Sequence, residues 1–63
     1  MPRLNRITVE MPDDETLALA EMCKRAYIEP IRAFSASEKE AQEMWRAMRL
    51  LKQALARAGW APR

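Results

Sequence analysis

Apolar and polar residues alternate with period two in one stretch of the chain, Arg6-Ile7-Thr8-Val9-Glu10-Met11. Ile7, Val9 and Met11 fall on one face, and Arg6, Thr8 and Glu10 on the other. The alternation and the β-branched run Ile7-Thr8-Val9 predict a half-buried strand over residues 6–11, closed by Pro12. Every later segment is patterned for helix, so this strand has no partner in its own chain. Unpaired backbone N–H and C=O groups are costly when buried. The expected fold is therefore mostly α with one N-terminal β-strand. Its order is β-α-α, with the strands of two subunits pairing in a homodimer.

The rest of the chain carries helical spacing. Asp13 is a good N-cap, and Pro12 and Leu17 sit at the distance of a hydrophobic staple. A first helix is expected over residues 14–28, with Leu19, Met22, Cys23, Ala26 and Tyr27 on one stripe. Leu17 lies outside that stripe, as an exposed residue or one facing a second subunit. Glu29-Pro30 ends the helix, because the residue before proline is pushed out of the α region. Residues 29–36 then read as a connector, with Ile31-Arg32-Ala33-Phe34 as plain connector or a single turn, and Ile31 and Phe34 covering the core from the side. Two overlapping capping boxes, Ser35 with Glu38 and Ser37 with Glu40, start a second helix over 38–58. Ala41, Met44, Met48, Leu51, Leu55 and Ala58 form its apolar seam. Gly59 supplies a left-handed stop, with Trp60 packing back on Leu55, and 59–63 is a tail. Residues 1–5 read as a flexible arm carrying Arg3.

Composition narrows the picture. A chain of 63 residues is a single domain, and domains this small bury too little surface to be comfortably stable alone. Cys23 is the only cysteine and there is no histidine, which excludes an intrachain disulfide and disfavours a metal site. Oligomerisation is the stabiliser that remains. No apolar run follows Met1 to Arg6 and none reaches membrane-spanning length, so a cytoplasmic protein without a signal peptide is expected. The net charge is +2, with acids gathered near both helix starts and Arg46, Arg49, Lys52, Arg57 and Arg63 making the C-terminal third basic. Two readings of that pattern are open: helix electrostatics, with acids near N-termini and bases near C-termini, and a dedicated basic site.

No catalytic constellation is visible. The usual general base is missing and one glycine cannot form a phosphate-binding loop. Paired acids such as Asp13/Asp14 and Glu40/Glu43 are best explained as helix N-terminal charge. A non-enzymatic binding protein without a cofactor is expected. Trp45, Arg46, Arg49 and Trp60 are its candidate anchors for a protein partner, since Trp and Arg dominate interface hot spots.

Arg6-Ile-Thr-Val-Glu-Met-Pro-Asp-Asp-Glu, followed by an amphipathic helix ending Lys24-Arg25, resembles the first half of ribbon-helix-helix repressors. In that family two subunits insert a shared two-stranded ribbon into the DNA major groove. The resemblance implies that Ile7, Val9 and Met11 face the dimer core. It implies that Arg6, Thr8 and Glu10 face base edges, with Arg3 near phosphate. The longer stretch through Pro30 and Phe34, and the acids Glu38 and Glu40 opening the second helix, depart from the family's pattern. A transcriptional repressor is the leading functional expectation. A second resemblance, to short uncharacterised bacterial proteins of mobile elements, rests on three stretches. These are Asp13-Asp14-Glu15 with Leu17-Ala18-Leu19-Ala20, Lys24-Arg25, and the ending Ala54-Leu55-Ala56-Arg57-Ala58-Gly59-Trp60-Ala61-Pro62-Arg63. It implies the alternative, a phage- or plasmid-type inhibitor, anti-CRISPR-like, that binds a host protein through its helix surfaces.

Overall fold

Thirteen residues at Asp13–Arg25 form α1, seven at Ile28–Phe34 form α2, and twenty at Glu38–Arg57 form α3. The computed structural model describes residues 3–60, and among these there is no strand. The expected β-α-α architecture is thus replaced by three helices behind an extended N-terminal segment. Residues 6–11 keep an unpaired, non-helical backbone. The physical reason is the one that made the strand need a partner. A period-two pattern defines two faces, but only a neighbouring backbone can turn it into a ladder. The ribbon-helix-helix-like homodimer built on that strand goes with it.

α1 begins on Pro12, whose φ of −62° and ψ of 159° lead into the helix without a side-chain cap. Asp13 is therefore the first helical residue rather than the cap. Thr16 closes the first turn, its N–H donating to Pro12 O at 2.9 Å and its hydroxyl to Pro12 O at 2.9 Å and Met11 O at 3.4 Å. Asp13, Asp14 and Glu15 lie at the positive end of the helix dipole, and Lys24 and Arg25 at its negative end. The helix ends at Ala26, before the expected Ile28.

The segment expected as a connector is largely helical. Pro30 lies in the first turn of α2, where its missing N–H has no intrahelical acceptor to lose. Ser37 rather than Ser35 caps α3, accepting from the Glu40 N–H at 3.1 Å. The Glu40 carboxylate accepts from the Ala36 N–H at 2.8 Å, one residue ahead of the usual capping-box partner. Glu38 is unavailable to Ser35 because Arg32 holds it. The guanidinium Nε and Nη2 each donate to a different Glu38 oxygen at 2.8 Å, while Nη1 pairs with Glu29. This fork ties α2 to the start of α3. The C-terminus of α3 follows expectation. Trp60 N–H donates to Leu55 O at 2.8 Å and Gly59 N–H to Ala56 O at 3.0 Å, with Gly59 at φ 93°.

The core is small. Ala20 and Cys23 of α1, Ile31 of α2 and Ala41 of α3 are the buried hydrophobic residues, and among described residues no polar or charged residue is buried. α1 and α2 each pack on α3. α3 is about 30 Å long and α1 about 20 Å, so the covering helices leave part of α3 unmatched. Residues 50–54 are exposed, Leu50 at 66%. The apolar seam is accordingly best covered at Ala41 and half-buried at Met44, Met48 and Leu55, while Leu51 reaches the surface.

Candidate functional site

Two surfaces stand out, on opposite flanks of the buried line of α3. The first is polar. Stepping about 100° per residue from Ala41, Lys52, Trp45, Arg49, Arg46 and Arg57 fall successively on one side of the helix. From Met44 to Arg57 every charged residue is a cation: Arg46, Arg49, Lys52 and Arg57. The Arg49 guanidinium lies 5.6 Å from the Trp45 ring centroid, within cation–π range. Trp45 is half-buried and Arg46, Arg49, Lys52 and Arg57 are exposed. The anchors expected for a protein partner are thus only partly brought together. Trp45, Arg46 and Arg49 lie within about one helical turn, whereas Trp60 sits past the end of α3, about 20 Å further along its axis. Lys52 and Arg57 complete the cationic face. The sequence holds the signal for them, since the helix dipole explains the basic last turn but not cations from its middle onward.

The second surface is apolar. A groove of about 1000 Å³ opens between α1, α2 and α3. Ile31 lies at its base, and Leu17, Met22, Phe34, Met44 and Met48 line it. Leu17 is 50% exposed, Met22 52% and Phe34 70%. Asp14, Glu21 and Arg25 are its charged lining, and Arg25 pairs with Glu21 at 3.3 Å. Monomeric proteins rarely expose continuous apolar surface of this kind without a use for it. Reasoning from the helical stripes missed this groove. Its one trace was Leu17, off the stripe of its own helix.

The residues expected to read DNA lie elsewhere. Arg3, Arg6, Thr8 and Glu10 are all exposed on the extended N-terminal segment, and so are Leu4, Ile7 and Val9. No residue from 3 to 12 lines the groove. The alternation therefore divides two sets of side chains that both face solvent, except Met11, which is half-buried.

The family profile that matches this chain covers residues 1–63, its whole length. The chain belongs to the DUF7706 family, a family of unknown function. No curated protein and no solved structure matches it. The chemistry of this DUF7706 chain must therefore be read from its own side chains. Among the described residues no group of three or more His, Cys, Asp or Glu side chains is placed to hold a metal ion. No helix is long and apolar enough to cross a membrane, also among the described residues. Cys23 is buried, and burial pushes its thiol pKa up, opposed in part by the Lys52 charge. A thiol held in its protonated form is a poor nucleophile. The Arg32 hydrogen bonds, with that from Gln42, hold the Glu38 carboxyl at about 2. That carboxylate serves the junction of α2 with α3.

Proposed function

We propose that the protein is a small non-enzymatic binding protein that docks on an acidic protein surface through the cationic flank of α3. The observation that carries this reading is the stack of Arg49 on Trp45, set within a half-helix whose only charges are cations. A tryptophan already half-buried loses little freedom on binding, and a stacked guanidinium is held ready for a carboxylate. Trp45 and Arg49 are the central anchors, Arg46, Lys52 and Arg57 the charged rim, and Trp60 a peripheral contact. The partner fits the mobile-element reading of the sequence, in which a host protein is the target. A cytoplasmic location suits the lone unpaired Cys23.

The test is capture of a nuclease-treated host lysate on the immobilised full chain. A single stoichiometric acidic protein is expected, lost in both Trp45→Ala and Arg49→Ala and weakened as salt is raised. Retention of the same protein by both variants would overturn the reading. The same run of cations also suits a phosphate backbone, and on that observation a nucleic-acid-binding repressor stands as the second proposal. Arg46, Arg49, Lys52 and Arg57 would then carry the contact alongside Arg3 and Arg6. Its mark is nuclease-sensitive capture, with a gel shift of the gene's own upstream DNA that falls steeply with salt.

A further inference from the structure

The chain carries two unmatched apolar features on different parts of its surface. One is the groove between the three helices. The other is the extended N-terminal segment, whose Leu4 is 92% exposed, Ile7 82% and Val9 65%. An extended chain advances about 3.3 Å per residue, so residues 4–11 reach about 26 Å. The groove follows α1 from Asp14 to Ala26, about 18 Å along the helix axis. The arm is long enough to fill it. We propose that the groove is occupied by the N-terminal arm of a second copy of this chain, the two copies exchanging arms about a two-fold axis.

Charge order selects the second copy over the chain's own arm. Along α1 the groove carries Asp14, then Glu21, then Arg25. Along the arm come Arg3, Arg6 and then Glu10. A chain's own arm runs directly into Asp13, so it reaches its own groove only by folding back antiparallel to α1. That direction sets Glu10 against Asp14 and the arginines toward Arg25. An arm from another copy has no such tether and runs parallel to α1, with Arg3 and Arg6 toward Asp14 and Glu21, and Glu10 toward Arg25. Ile7 and Val9 then turn into the groove toward Leu17, Met22, Phe34 and Met48, while the long side chains of Arg6 and Glu10 fold over to its rim. The arms do not pair with each other. Each copy gives one arm and receives one, so the contact is made twice, as an isologous dimer requires. The doubled contact brings the interface toward the roughly 1,200–2,000 Å² of stable pairs. It also supplies the apolar burial that the four buried residues among those described leave wanting.

Sedimentation equilibrium of the full chain over a range of concentrations tests this. A reversible dimer is expected. Ile7→Asp with Val9→Asp should raise its dissociation constant at least about tenfold, each apolar side chain being worth more than that factor when fully buried. These side chains are exposed in the subunit, so helical circular dichroism should be unchanged and loss of folding is separable from loss of pairing. Leu17→Glu, on a half-exposed groove residue, should have the same effect. Mixing the arm variant with the groove variant should restore pairing in part, because one intact arm then meets one intact groove. Glu10→Arg should weaken the dimer and Arg25→Glu added to it should restore affinity. A chain that stays monomeric at all concentrations overturns the proposal. So does a dimer indifferent to both the arm and the groove variants. Binding of an acidic protein by Trp45 and Arg49 is read in a separate assay, so either result leaves the other proposal standing.

Discussion

Arg32 ties two helices together through a single side chain. Its guanidinium bridges Glu29 on its own helix and Glu38 on the next, and holds Glu38 in a two-pronged fork. Because these hydrogen bonds lower the Glu38 pKa to about 2, their contribution is fully present above the unfolded carboxyl value near 4.5. It is lost as pH falls from there toward 2. Wild-type protein should therefore lose stability across that window in an acid titration followed by circular dichroism. Arg32→Gln should flatten the loss within it. Arg32→Lys should behave more like Gln than like wild type, since an ammonium cannot reproduce the fork. Gly59 marks the other end of α3. With φ at 93° it occupies a region costly to side-chain-bearing residues, although a Cβ there meets nothing within 4 Å. Gly59→Ala should cost about 1 kcal/mol, from backbone strain alone, measured by urea unfolding. Cys23 should resist a thiol reagent in native protein and react only on unfolding, as its burial and raised pKa require.

At the scale of elements, α3 is the spine on which both shorter helices pack. It is longer than what covers it, and this mismatch separates its roles. The first half buries Ala41 and takes the Arg32 fork through Glu38, while the second half projects and carries only cations. Charge reversal of Lys52 or Arg57 to Glu should leave thermal stability within about 0.5 kcal/mol, as for surface substitutions elsewhere. The same reversals should weaken capture of the acidic partner in proportion to the charge removed. α2 was the element least readable in advance. Pro30 ordinarily signals a break, and seven residues give little periodicity to detect. What allows the helix is position, because a proline in a first turn forfeits no hydrogen bond. Ile31 then locks it by burial, at 2% exposure, while Phe34 turns outward to the groove at 70%.

At the scale of the whole molecule, the chain measures 33 × 28 × 17 Å with a radius of gyration of 12.6 Å. Among the described residues, the buried hydrophobic ones are two alanines, one cysteine and one isoleucine. Such small residues let helices approach closely but bury little apolar area. Larger apolar residues lie at the surface instead, in the groove and on the N-terminal arm. Stability is therefore expected to depend on protein concentration, with the thermal midpoint rising on concentration of the full chain and staying fixed in Ile7→Asp/Val9→Asp. A midpoint independent of concentration in both would mean that the subunit stands alone.

Features that rest on local chemistry can be read from the chain's residue order alone. The acids at the start of α1, a serine cap ahead of α3 and the Gly59–Trp60 stop all depend on neighbours a turn or less away, and each is legible there. The seam of α3 is legible as a stripe but not in how much of it is covered. The tertiary structure decided everything that depends on distant partners. An alternating segment such as Ile7-Thr8-Val9 is a strand only if another backbone lies beside it, and among the described residues none does. Of the two serines, Ser37 accepts from the Glu40 N–H, while the Ser35 hydroxyl donates to Arg32 O and Arg32 holds Glu38. The groove arises where three helices diverge, which no stripe on a single helix records. Periodicity states which face of an element is apolar, but packing alone decides whether that face is covered.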